Sequence, residues 1–171
     1  GAAEMIPQFR MLIKVKKLRE NKAMRALEAA RAAHRKAVER AEALTAEAEE
    51  STRTLPARER ALYDAILQKV VGMGAVDDVK DRVLHLMTDH QALLDRRDRA
   101  WEHVARCEAK VAEARVELRR RQAEVEKIVT ITDELVQADI DEKTAKEEIE
   151  IEDLFSRPKK PAGAEMAEGA A

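Results

Sequence analysis

Apolar side chains recur at helical spacing through the first half of the chain. They alternate three and four residues apart, the pattern of a helix that packs along a narrow stripe against another helix. The pattern predicts a first helix over about residues 7–71, with Pro7 tolerated because first-turn N–H groups have no helical partner. The series comprises Leu27, Ala30, His34, Ala37, Ala41, Leu44, Ala48, Leu55 and Leu62.

The second half repeats this spacing and predicts a second helix over about residues 79–150. Arg121 interrupts the series at one position, and Met87, Leu94 and Trp101 continue it toward the middle of the chain. The clearest members are Val104, Cys107, Val111, Ala114, Leu118, Val125, Ile128 and Leu135.

Two glycines separate the two patterns. Gly72 and Gly74 suit a helix stop, and Asp77 or Asp78 can cap the next helix, so we expect a turn over about residues 72–78. If the chain folds at this point, residue 74 − x lies opposite residue 74 + x. The predicted fold class is therefore all-α, a long antiparallel two-helix coiled-coil hairpin spanning residues 5–155, about 100 Å long at 1.5 Å per helical residue.

Pro56 is the one residue that conflicts with a continuous first helix. A proline inside a helix removes a hydrogen bond and introduces a kink. We expect a bend or short break at about residues 52–56, with Thr54 capping the restart. Residues 156–171 are rich in small residues and proline and are expected to be disordered. Residues 1–4, before Met5, are expected to be a cloning remnant.

Charge is distributed in two opposite blocks. Residues 10–25 contain seven bases and one acid, whereas residues 133–153 contain ten acids and two lysines. Folding at residue 74 would bring residues 10–25 opposite about 123–138, with the acidic block overlapping and just beyond. A parallel dimer would instead align like charges. The distribution therefore favours an antiparallel hairpin, which we expect to be monomeric in isolation.

Composition excludes most compact folds. Aromatic residues make up 2% of the chain and charged residues 39%, so large side chains are too few for a thick core. A lone Cys107 and the lack of an apolar run long enough for a bilayer lead us to expect a cytoplasmic protein.

No constellation of residues indicates catalysis. His85 and His90 are five residues apart and lie on different helix faces, while His34 and His90 fall at or beside the seam. Cys107 occupies a seam position, as a small buried apolar side chain would. No nucleophile or phosphate-binding motif is present, and a two-helix rod offers no enclosed pocket. We expect no enzyme activity, no cofactor and no metal.

The basic stretch over residues 10–40 leaves several alternatives open. It carries eleven bases and three acids. It could contact a protein partner or be a solvated face. Nucleic-acid binding lacks support from interleaved aromatic residues, and a membrane-surface helix over residues 5–18 would compete with helix pairing.

Two segments resemble a known family over about residues 5–155. Residues 9–20 read FRMLIKVKKLRE and lead into alanine-containing heptads, and residues 147–155 read EEIEIEDLF before a loose tail. Both are similar to the YscO/FliJ-like coiled-coil proteins of bacterial type III secretion, which serves virulence injectisomes and flagellar export.

The resemblance implies a cytoplasmic stalk or escort protein, peripheral to the base of the secretion apparatus. Family members look like the central coiled coil of the rotary ATP synthase. They bind the export ATPase, the export gate and chaperones of secreted substrates. The alternative is a structural coiled-coil spacer or homodimeric adaptor without a secretion role. The family's N-terminal motif maps onto Phe9, Leu12, Val15, Leu18 and Arg19, which we therefore expect to bind partners.

Overall fold

Two helices account for nearly all of the described chain. The computed structural model describes residues 1–68 and 72–157. Helix α1 spans Ala2–Leu67 and helix α2 spans Met73–Ser156, and no strand occurs within the described residues. The helices pack against each other as an all-α helical hairpin. The apolar spacing thus predicted the fold class correctly.

The chain divides into two compact units. The terminal unit combines Gly1–Arg19 with Gln122–Ala171, and the central unit is Glu20–Arg121. Small side chains dominate the buried seam of the central unit, and Ala41 has no exposed surface at all. Small residues allow two helices to pack closely, and a narrow stripe is enough to hold a pair. The core cluster consists of Ala37, Ala41, Leu44, Ala100, Val104 and Cys107.

The helix register differs from the one expected for a fold at residue 74. In that fold, the residue numbers of two facing residues add up to 148. In the central unit, the residue numbers of each observed pair add up to between 141 and 146. In the terminal unit, Lys16 Nζ lies 3.3 Å from Glu124 Oε2, with a sum of 140. The central pairs are Thr45 Oγ1–Trp101 Nε1 (2.9 Å), Ser51 Oγ–His90 Nδ1 (2.8 Å) and His34 Nε2–Glu108 Oε1 (3.5 Å).

The expected register was wrong by about one heptad. A shift of seven residues places apolar positions opposite apolar positions again, so the seam pattern alone does not separate the two alignments. Residue 74, the expected centre of the fold, lies inside α2, which begins at Met73.

The expected turn over residues 72–78 was wrong for most of its length. Helix α2 begins at Met73, so Gly74, Asp77 and Asp78 are helical and neither aspartate caps the helix. Gly72 directly precedes α2, and its carbonyl accepts a hydrogen bond from the Ala75 N–H at 3.2 Å. The second helix therefore starts earlier than expected, with Gly74 in its first turn.

The expected break at Pro56 does not occur. Helix α1 continues through residues 52–56, and Pro56 is exposed. Thr54 does not cap a restart, since its hydroxyl donates to the Glu50 carbonyl at 2.9 Å, one turn back. Pro56 removes only one N–H, on the solvent side of a helix whose opposite side packs on α2, so the ladder persists around it. A bend without a break stays a prediction.

The observed helix ends differ from the expected ones, and α1 ends at Leu67, before the expected residue 71. Ala2 to Glu4 form the first turn of α1, and α2 continues to Ser156 instead of ending near residue 150. The predicted disordered tail therefore begins too early by at least one residue. Its remainder, residues 158–171, lies outside the described residues.

The acidic block does not face the basic block, contrary to expectation. A Cβ placed on Gly1 would lie 3.9 Å from Oε2 of Glu142, so the start of α1 lies level with residue 142 of α2. Residues 143–156 extend past that level and are exposed throughout. The lysines of the acidic block pair locally, Lys143 with Asp139 and Lys146 with Glu142. The one-heptad difference in register moves the acids away from the bases.

Spin-label distances test this register. In a Cys107→Ala background, we expect labels at positions 39 and 102, whose numbers sum to 141, to be closer than labels at 39 and 109, whose numbers sum to 148. Seven residues correspond to about 10 Å along a helix, and this offset combines with the lateral separation of the two labels to lengthen the second distance, which pulsed electron paramagnetic resonance detects. The wild-type residues at these positions, Glu39, Glu102 and Ala109, are exposed. The opposite order of distances would restore the register centred on residue 74.

Replacing Pro56 tests the cost of the missing hydrogen bond. The substitution Pro56→Ala restores an N–H that can donate to the Thr52 carbonyl. We expect the free energy of unfolding to rise by about 1–3 kcal/mol, measured by urea denaturation followed by circular dichroism. Ala57→Gly, at an exposed neighbouring helical position, is the control and should lower it by about 1 kcal/mol. Unchanged stability in Pro56→Ala would show that the proline is fully compensated by its surroundings.

Candidate protein-interaction surfaces

The start of α1 has an outward-facing apolar stripe in addition to the seam. Met11, Val15 and Leu18 follow i, i+4, i+7 spacing, which places them on one side of the helix, and all three are exposed. Arg10, Lys14 and Lys17 follow the same spacing one residue earlier, so a basic row runs beside the apolar one. We call these six residues the basic–apolar stripe.

The five residues predicted to bind partners do not form one surface. Phe9 and Leu12 are half-buried, whereas Val15, Leu18 and Arg19 are exposed. The prediction that these residues bind partners stays a prediction, but the two groups have different surroundings. Sequence reasoning missed Met11, although its position four residues before Val15 could have identified it.

Most bases near the stripe are available to an outside partner. Residues 10–19 contain five bases and no acid. Lys16 pairs with Glu124 in the terminal unit and is mostly buried. Within the described part of the chain, Arg10, Lys14, Lys17 and Arg19 make no ion pair. A cluster of unpaired bases beside apolar side chains suits an acidic, partly apolar protein surface, and such binding is sensitive to salt.

The end of α2 forms a second surface. We call residues 143–156 the C-terminal extension, because they continue α2 past the start of α1. Ile151, Leu154 and Phe155 lie on one side at i, i+3, i+4 spacing, and Phe155 is 87% exposed. Residues 147–155 contain five carboxylates and no base. This surface is acidic and apolar, the opposite charge character of the basic–apolar stripe.

A third surface lies near the chain reversal. Tyr63, Leu67 and Met73 are exposed there, whereas Val79 is buried. A groove of about 310 Å³ beside them is mainly apolar, and Lys80 is its charged member. Its lining residues are Tyr63, Ile66, Leu67, Val76, Val79 and Lys80.

Polar side chains also enter the seam. His34 and His90 are half-buried there, and Cys107 is buried with its Sγ 3.6 Å from Nε2 of His103, as their spacing predicted for His34, His90 and Cys107. The Nε2 of His34 is enclosed and lies 3.5 Å from Glu108 without hydrogen-bond geometry. His34 and His90 have partners on the opposite helix, whereas the Cys107–His103 contact lies within α2. Within residues 1–68 and 72–157, no group of three potential ligands could hold a metal ion.

Two carboxylates with lowered pKa values, Glu50 and Glu117, lie on the helix surfaces. A hydrogen bond from Arg53 holds the pKa of Glu50 below its usual range, and one from Arg120 does the same for Glu117. Each pair is three residues apart on one helix and exposed. A catalytic acid or base would instead be enclosed with a partner in a cleft, so these shifts report local helix pairs.

No helix in the described ranges is long and apolar enough to cross a membrane.

Comparison with known proteins identifies the family. No curated protein and no solved structure matches the chain significantly. A family model described as type III secretion protein YscO matches residues 9–157, which is most of the chain. The match begins at Phe9, one residue before the basic–apolar stripe, and ends just after the C-terminal extension. The chain belongs to the YscO family of type III secretion proteins.

Proposed function

We propose that this protein is a cytoplasmic stalk or escort protein at the base of the type III secretion apparatus. In this role it binds the export ATPase and also contacts the export gate or the chaperones of secreted substrates. The family match over residues 9–157 carries the proposal. The proposed partners are those implied by the resemblance of residues 9–20 and 147–155 to the stalk proteins of this family.

The exposed surfaces support a role in protein contact. The helices bury a narrow seam against each other and leave their outer sides to solvent, including Val15, Leu18 and Arg19. Exposed bases beside apolar side chains allow contacts that are individually weak and readily exchanged. Such contacts suit a protein that engages several components of an assembly in turn.

The described grooves support a non-catalytic role. They are open and lined largely by charged residues or by the apolar residues of the chain reversal. A catalytic site requires a water-excluding pocket that brings functional groups together. Binding without chemistry is therefore the function that this geometry supports best.

Stimulation of the export ATPase tests the proposal. We expect the full chain to raise ATP turnover or hexamer formation by the export ATPase of the same bacterium at low ionic strength. The variant Leu18→Ser should lose most of this stimulation, because it removes the most exposed apolar side chain of the stripe. Leu84→Ser is the matched control and should retain it, since Leu84 and Leu18 are both 66% exposed.

Affinity capture from the bacterial host tests the remaining partners. Mass spectrometry of proteins retained by the wild-type chain should identify the export ATPase together with the gate protein or substrate chaperones. The Arg19→Glu variant should retain less of these proteins, and Arg106→Glu, at an exposed site elsewhere, should match wild type. Absence of every secretion component, together with no effect on the ATPase, would favour a structural spacer.

A further inference from the structure

We propose that two copies of this chain associate through their terminal units to form a dimer. In this dimer, the C-terminal extension of each copy packs against the basic–apolar stripe of the other. The inference concerns the chain by itself and does not depend on any secretion partner.

The two surfaces are complementary in charge. Residues 147–155 carry five carboxylates and no base, and residues 10–19 carry five bases and no acid. Of those bases, Lys16 is already engaged by Glu124, and the other four make no ion pair in the described part of the chain. The bases of one segment and the acids of the other are therefore largely exposed to solvent. Each segment could supply the opposite charges that the other lacks.

The two surfaces are also complementary in their apolar side chains. Met11, Val15 and Leu18 form one row on α1, and Ile151, Leu154 and Phe155 form a short row on α2. Rows at these spacings are those that pack in helix pairs. Charged residues flank both rows, so one alignment can bury the apolar atoms and place acids beside bases.

The two surfaces of one copy are held apart. Gly1 and Glu142 lie at the same level of the terminal unit, and α1 and α2 run away from that level in opposite directions. At 1.5 Å per residue, residues 151–155 lie about 14–20 Å from it on one side. Residues 11–18 lie about 15–26 Å from it on the other side. A continuous helix does not fold back over this span, so the acidic row needs a stripe from another molecule.

A twofold axis at the level of Gly1 and Glu142 allows the same contact to form in both copies. Rotation about an axis perpendicular to the helices exchanges the two directions. Because the two rows lie at similar distances from this level, the extension of each copy then lies beside the stripe of the other. A closed dimer with two equivalent contacts results, which is the commonest symmetry of homo-oligomers. This arrangement revises the expectation of a monomer, which considered only the seam inside the hairpin.

Sedimentation velocity of the full chain tests the dimer. We expect the dimer fraction to increase with protein concentration over about 1–200 μM and to be larger at about 50 mM than at about 500 mM salt. The salt dependence follows from the opposite charges of the two surfaces. A chain that remains monomeric at the highest concentration and lowest salt would overturn the proposal.

Three variants identify the surfaces. Leu18→Glu in the stripe and Leu154→Glu in the extension should each raise the dimer dissociation constant at least about tenfold, since each replaces a buried apolar side chain of both contacts with a charged one. Leu84→Glu should leave the dissociation constant near that of wild type. These leucines are 66%, 68% and 66% exposed in that order, so folding should be preserved, and circular dichroism checks this.

Mixing the two interface variants gives the sharpest result. A homodimer of either variant has no intact contact. A mixed dimer has one, between the extension of the Leu18→Glu copy and the stripe of the Leu154→Glu copy. We therefore expect the mixture to dimerise more tightly than either variant alone and less tightly than wild type. No gain on mixing, or an equal loss in Leu84→Glu, would contradict the proposed pairing.

Discussion

The narrow seam between α1 and α2 is the interaction on which the rest of this structure depends. Its central part is built from small side chains such as Ala37, Ala41 and Ala100, with Val104 and Leu44 filling the space between them. A pair of helices has no other core to bury, so the fold holds only while apolar positions face each other along the seam. Polar contacts such as Thr45–Trp101 add directional links between the helices.

The register of the seam decides which surfaces the protein presents. Because the numbers of facing residues sum to between 140 and 146 rather than 148, the acidic end of α2 passes the start of α1 and becomes an exposed extension. Among the described residues, the same difference leaves Arg10, Lys14 and Lys17 without acidic partners across the seam. Two surfaces of opposite charge therefore arise from one alignment. The exposed residues near the chain reversal, Tyr63 and Leu67, form a third surface that is mainly apolar.

The basic–apolar stripe links the proposed function with the proposed dimer. One stripe can hold one occupant at a time, so a second copy and a secretion component would compete for Val15 and Leu18. Dimerisation would then lower the concentration of chain available to a partner, and a partner of higher affinity would dissociate the dimer by mass action. Both interactions involve charges near the surface, so ionic strength would influence both.

The sequence by itself determined the all-α class, the two-helix hairpin and most seam positions, because seven-residue apolar spacing has few other packing solutions. Residues 9–20 and 147–155 also indicated the family. The register, the continuity of α1 through Pro56 and the early start of α2 at Met73 were decided only by tertiary structure. Alignments one heptad apart satisfy the same apolar pattern, and packing on α2 outweighs the single hydrogen bond that Pro56 removes. The division of the predicted binding residues, with Phe9 and Leu12 half-buried and Leu18 exposed, likewise required the packed helices, since position around a helix has meaning only relative to its neighbour.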